Sequence, residues 1–125
     1  MRKRILFEFG TIDIYSEYIV AIMNEGITVK PEYNDELIST AEKYFAGRYF
    51  GYITYRKYSY SVDPQIYTET SKIENLAAFA VVADNIDALK NIDVEKIFLK
   101  KPMQAFHSLD AAKSWITERI QEKNS

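Results

Sequence analysis

The chain has 125 residues, 47% of them hydrophobic and 27% charged, and its formal net charge is −2. These values fit one ordinary globular domain over residues 1–125 and exclude disordered and collagen-like chains, while the even mixture of acids and bases leaves no footprint for sequence-independent nucleic-acid binding. With no cysteine and a single histidine, disulfides, thiolate metal sites, a cysteine nucleophile and a two-histidine metal centre are also excluded.

The first residues, Met1-Arg2-Lys3-Arg4 followed by Ile5-Leu6-Phe7-Glu8-Phe9, are too short and too charged for a signal peptide. No apolar run approaches the roughly 18 residues that span a bilayer. A cytoplasmic location without membrane insertion is the expectation. Residues 4–9 alternate apolar and charged side chains, Gly10 offers a turn, and residues 11–15 alternate again, which predicts a β-hairpin. Tyr18-Ile19-Val20-Ala21-Ile22-Met23 is almost continuously apolar, as in a strand covered on both faces, and Asn24-Glu25-Gly26 ends it.

A helix is predicted over residues 31–46. Pro31 suits its first position, acids fall in its first turn, Leu37, Ile38, Ala41, Tyr44 and Phe45 share one face, and Gly47 can adopt the left-handed conformation that stops it. Glu32, Asp35 and Glu36 read as a solvated face that complements the helix dipole, without a chemical role. The aromatic run over residues 49–56 reads as a strand, residues 57–64 as a polar loop, and Asp63-Pro64 as the start of a short second helix.

Leu76-Ala77-Ala78-Phe79-Ala80-Val81-Val82-Ala83 is apolar without alternation, the pattern of a parallel strand buried between helices. Residues 86–90 and 94–99 predict one or two short helices, and Met103 to Phe106 a short strand. Ser108 is placed to cap a last helix, whose buried and flanking face is set out by Leu109, Ala112, Trp115, Ile116, Arg119 and Ile120, with a fraying tail over residues 121–125. Strands first, then helices and strands in alternation, give an α/β class: a mixed sheet of about five to six strands with a β-rich N-terminus and flanking helices.

Leu76 to Asp84, a helical insert, and then Lys101-Pro102-Met103-Gln104-Ala105-Phe106-His107-Ser108-Leu109-Asp110-Ala111-Ala112-Lys113-Ser114-Trp115-Ile116 resemble the C-terminal half of small STAS-like proteins. These are relatives of the sporulation anti-sigma-factor antagonists, with a fold compared to CRAL-TRIO. The resemblance covers roughly the last 50 residues most clearly. It implies a mixed sheet flanked by helices and a binding or regulatory role. In the antagonists a serine or threonine at the start of the helix after a central strand is phosphorylated to break binding to a kinase, and that position maps onto Ser59 and Ser61. Their Asp-Ser-Ser-Gly type signature is replaced here by Tyr58-Ser59-Tyr60-Ser61-Val62-Asp63-Pro64.

Ser59, Ser61 and Asp63 form a loop for phosphorylation or partner contact, where a phosphate adds about −1.5 to −2 charge, or for plain solvation of loop amides. Ten tyrosines are present, of which Tyr52, Tyr55, Tyr58, Tyr60 and Tyr67 are candidates for an apolar pocket or for a sheet face or dimer contact. His107, just before a helix cap, reads as a surface residue. The sequence contains neither a Gly-x-Ser-x-Gly elbow nor a Gly-rich phosphate loop, so no catalytic residue, metal or cofactor is expected. The leading functional expectation is a non-enzymatic regulatory or protein-interaction module, its partner unknown and a homodimer among the options. The alternative is a carrier or sensor of a small apolar or lipid-like ligand in a tyrosine-lined cavity of roughly 300 Å³ or more, which the tyrosines and Phe79 or Phe98 would enclose beneath a mobile helix around residues 86–99. An enzyme of unrecognised type ranks last.

Overall fold

The N-terminal hairpin forms, but it does not turn at Gly10. In the computed structural model, which describes residues 3–57, 61–62, 64–84 and 92–125, β1 (Lys3–Phe7) pairs antiparallel with β2 (Gly10–Ile14) across a turn at Glu8 and Phe9. Gly10 is the first residue of β2, where close approach of backbone is the constraint. A Cβ there would lie 2.2 Å from the carbonyl oxygen of Ile22 on the neighbouring strand. That strand, β3 (Tyr18–Met23), runs antiparallel to β2 over the predicted residues.

After β3 the chain forms the two-residue β4 (Thr28–Val29) and then α1 (Pro31–Phe45). Pro31 occupies the first helical turn and Gly47, at φ +74°, supplies the left-handed residue beyond the helix end, both as the sequence predicts. The freed carbonyls at that end are met from elsewhere in the chain: the Asn75 amide donates to Phe45 O at 3.1 Å and to Arg48 O at 2.8 Å, which anchors the helix end to the entrance of the next parallel strand but one.

The aromatic strand is β5 (Phe50–Tyr55). The residues expected to form only a loop contain β6 (Ser61–Val62), which pairs in parallel with β4. Two-residue strands carry too little periodicity to be read from sequence. Then come α2 (Gln65–Thr70), β7 (Leu76–Val82), α3 (Ile92–Phe98), β8 (Met103–Phe106) and α4 (Leu109–Asn124). All seven residues of β7 are buried, as its continuous apolar pattern requires. Ser108 Oγ accepts the amide of Ala111 at 3.1 Å, the cap expected of it. The tail expected to fray over residues 121–125 is instead helical to Asn124. The helix predicted over residues 86–90 lies outside the described residues.

The six-stranded sheet has the order β1-β2-β3-β5-β7-β8, antiparallel from β1 to β3 and parallel from β3 to β8. The fold is therefore α/β with a mixed sheet and a β-rich N-terminus. Because the parallel strands advance in one direction, right-handed crossovers place their connecting helices on one face. There Leu37, Ala41 and Phe45 of α1 and Ile66 and Tyr67 of α2 pack with Ile14, Ile19, Tyr52 and Phe79 of the sheet. On the opposite face Ala112, Ile116 and Ile120 of α4 cover Val20, Ile53, Ala78, Ala80 and Val82.

Gly51 of β5 marks a close approach on that second face. A Cβ on Gly51 would lie 2.1 Å from Cγ2 of the fully buried Ile116, so helix and strand cannot both keep their places. Gly51→Ala is expected to lower unfolding free energy by about 1–3 kcal/mol. In urea unfolding, Gly51→Ala/Ile116→Ala should lose clearly less than the sum of its single variants; strict additivity would show that the contact does not limit the packing.

Candidate functional site

The parallel strands end at one edge of the sheet, the place where open α/β sheets carry their sites. Here Tyr52 and Thr54 of β5 and Arg56 just beyond it point to the face covered by α1 to α3, because residues two apart share a face. Tyr55 points to the other face, where it packs with the α4 cluster and donates to Asp84 Oδ2 at 3.0 Å. The structure thus separates Tyr55 from Tyr52, because a spacing of three residues along a strand changes face: of the two, Tyr52 lines the cavity side and Tyr55 lies on the face of α4.

Tyr52 and Tyr67 do come together. Tyr52 stacks on Phe79 with centroids 4.7 Å apart, and Tyr67 meets the same ring edge-on at 5.9 Å. With Asn34, Thr54, Arg56, Thr70 and apolar neighbours they line a cavity of about 20 Å³, room for a single water, whereas drug-sized ligands take about 300 Å³ or more. Of the two phenylalanines offered for such a cavity, Phe79 lines it, while Phe98 lines an outer groove of about 360 Å³ with Ile97, Thr68, Ser71, Lys72 and Lys100. Tyr58, Tyr60, Ser59 and Asp63 lie outside the described residues. Ser61 belongs to β6, paired with Thr28. His107 is exposed.

The polar centre of this region was not anticipated from the sequence. Glu95 is the one buried residue recorded on α3. Its Oε1 accepts from Arg56 Nη2 in a short ion-paired contact and from Tyr67 Oη at 2.5 Å, the range of a charge-assisted hydrogen bond. The Arg56 and Glu95 side chains are each only 10% exposed. The cluster therefore joins the end of β5, α2 and α3. One signal for it was available: Ile92, Glu95 and Leu99 fall at i, i+3 and i+7, so the acid occupies a position in an apolar stripe.

The same rotation of α3 leaves Val94, Ile97 and Phe98 outside, with 52%, 76% and 42% of their surface exposed. Lys72 and Lys100 line the groove beside Ile97 and Phe98, and Asp93 and Lys96 of α3 are exposed as well. Among the described residues no group of three or more His, Cys, Asp or Glu side chains could hold a metal, and no helix is long and apolar enough to cross a membrane.

Comparison of the chain with protein-family models, curated proteins and solved structures finds no match.

Glu95→Ala deletes the carboxylate on which Arg56 and Tyr67 converge, so its unfolding free energy should fall by about 1–3 kcal/mol, whereas Arg56→Met/Glu95→Leu, which replaces both side chains of the pair by apolar ones, should recover much of the loss in urea unfolding. Equal loss in both would show that the pair does not couple. On the opposite face, the hydrogen bond to Asp84 chiefly, aided by desolvation, raises the Tyr55 pKa above its ordinary value. The folded state holds this proton more tightly, so the associated stability is present below the usual tyrosine pKa of about 10 and is lost as pH rises through the raised value. With ring-labelled tyrosine, NMR titration should show Tyr55 ionising late, and Asp84→Asn should move it back toward ordinary tyrosine; an unmoved midpoint would remove Asp84 as the cause.

Proposed function

We propose that the chain is a non-enzymatic protein-interaction module of STAS-like type, acting in the cytoplasm, whose receiving surface is the outer face of α3 and its groove with α2. The observation that carries this reading is the orientation of α3. Its inward position is taken by Glu95, while Val94, Ile97 and Phe98, at i, i+3 and i+4, form one outward apolar stripe. Large apolar side chains gathered on an exposed stripe gain free energy when a partner covers them, and a stripe at this spacing suits an amphipathic helix laid along it.

Charge specifies the partner further. Lys72 and Lys100 line the groove beside the stripe, the Lys72 charge is shared with Glu69 at 3.2 Å, and the exposed Asp93 lies one turn before Ile97. A partner segment with an apolar face and acidic flanks fits, its charges serving mainly recognition and rate of encounter. The role requires no catalytic group or cofactor. The order of the C-terminal elements, a buried strand, an insert, a short strand and a Ser-capped helix, supports the STAS-like assignment.

Because the chain has no cysteine, Lys100→Cys gives one attachment point for a photo-crosslinker beside the groove. A discrete adduct in extracts of the source cells, lost when Ile97→Glu and Phe98→Glu are added, is the expected result. Both residues are exposed, so the variants should keep the wild-type urea midpoint to within about 0.5 kcal/mol in stability. An adduct that survives these substitutions, or none at all, overturns the assignment of this surface.

A further inference from the structure

The edge strand β1 is the second exposed apolar feature, and it lies far along the sheet order from α3. Among the described residues β1 pairs with β2 only, and its register runs unbroken from Lys3 opposite Ile14 to Phe7 opposite Gly10. A regular edge strand with unused N–H and C=O groups is a template for another strand unless it is blocked by proline, a bulge or outward charge. β1 contains no proline and no break in register. Arg4, 54% exposed, is tied back to Asp13 on β2, with Nε 2.6 Å from Oδ1 and Nη2 3.0 Å from Oδ2, and the other charge of the strand, the exposed Lys3, stands at its N-terminal end.

Leu6 stands beside that pair, 75% exposed. In register with it across the sheet are Thr11 and Ile22, both partly exposed. Helix α4 packs on β5, β7 and β8, so this half of the face keeps an apolar strip at the edge. We propose that β1 pairs antiparallel with β1 of a second copy of this chain, joining the two six-stranded sheets into one. This surface is separate from the α3 stripe and does not depend on the function proposed for it.

The register follows from side-chain parity and charge. A two-fold axis normal to the sheet keeps each face on its own side, so only residues of equal parity can stand opposite each other. Centring the axis on Leu6 sets Leu6 against Leu6, Ile5 against Phe7 and Arg4 against Glu8, which are apolar, β-branched-to-aromatic and opposite-charge pairs. Centring it on Ile5 places Arg4 against Leu6 and Lys3 against Phe7, and centring it on Arg4 opposes like charges. The first register is the one whose pairs within the strand carry no conflict, since Lys3 then falls opposite the turn residue Phe9, past the end of β1. In it the residues of β1 whose backbone groups point outward form the new ladder: Phe7 and Gly10 close a two-residue turn as a hydrogen-bonded pair, so Ile5 and Lys3 face β2 and Leu6 and Arg4 face the second copy.

The test uses sedimentation equilibrium and disulfide trapping on the full chain. A single strand pair falls at the small end of interfaces, so subunit concentrations up to about 100 μM are needed. Wild type should approach twice the 14.6 kDa subunit mass, and Leu6→Lys, which opposes two lysines across the axis, should remain at one subunit mass with an unchanged urea midpoint. Oxidised Leu6→Cys should form a covalent dimer, because hydrogen-bonded antiparallel partners stand about 5.5 Å apart at Cα, within disulfide reach. Glu8→Cys, whose symmetry mate is four residues away along the strand, should not. A wild-type monomer at the highest concentration, a dimer that tolerates Leu6→Lys, or equal trapping of both cysteines would each overturn the proposal. Ile97→Glu should leave the dimer intact, which separates failure here from failure of the α3 surface.

Discussion

The Arg56–Glu95–Tyr67 cluster is the constraint to which the arrangement of this edge of the molecule answers. Three elements with little else in common, the end of β5, the six-residue α2 and the seven-residue α3, meet at one carboxylate oxygen. Short helices are marginal by themselves and take their position from tertiary contacts. Here the contact of α3 is ionic and its apolar burial is small, since Glu95 is the buried residue recorded on it. Removing two charges from water is costly, and such a pair is maintained by good geometry and added hydrogen bonds, of which the Tyr67 hydroxyl supplies one. A hydrophobic pair would hold the helices together about as well, but it would not demand that one particular side of α3 face inward. The ion pair specifies orientation, and the outward apolar stripe is its consequence.

A second constraint comes from topology. Once β3, β5, β7 and β8 are laid down in one direction, the crossovers commit their helices to one face, and the other face depends on α4 alone. One helix about 10 Å wide covers two or three strands at a spacing near 4.8 Å. It is placed over β5, β7 and β8, and Gly51 lets it approach within contact of the strand backbone. The strands at the β1 side are left to side chains: Arg4 folds over Asp13, which is buried beneath it although charged, while Leu6 has nothing comparable. The exposed edge and the exposed leucine thus arise from the same shortage of cover.

Much of the architecture was legible in the sequence wherever a pattern persisted for several residues. The continuous apolar runs of β3 and β7, the Pro31 start and Gly47 stop of α1, and the Ser108 cap of α4 each combine a period with a terminal signal. What escaped lacked either persistence or a single reading. Gly10 suggested a turn, yet it serves close packing against Ile22, a demand that comes from a neighbouring strand. β4 and β6 are two residues each. The tyrosines of β5 divide between the faces, Tyr52 toward the cavity and Tyr55 toward α4, a separation that period-two alternation already contains.

The failure at Glu95 differs in kind. In α3 two stripes compete, one of Ile92, Glu95 and Leu99 and another of Val94, Ile97 and Phe98, and hydrophobicity alone favours burying the second. The opposite outcome requires a cation waiting at the sheet edge, and Arg56 is 39 residues away in the chain. A departure from local preference of this kind is tolerated when the surroundings compensate, and it tends to mark places kept for something other than folding. The compensation is visible as the buried ion pair, and its result is an apolar stripe held in water. Burying that stripe would satisfy the core; holding it outside by a charged anchor makes it available to another molecule, which is the physical ground for placing recognition on α3.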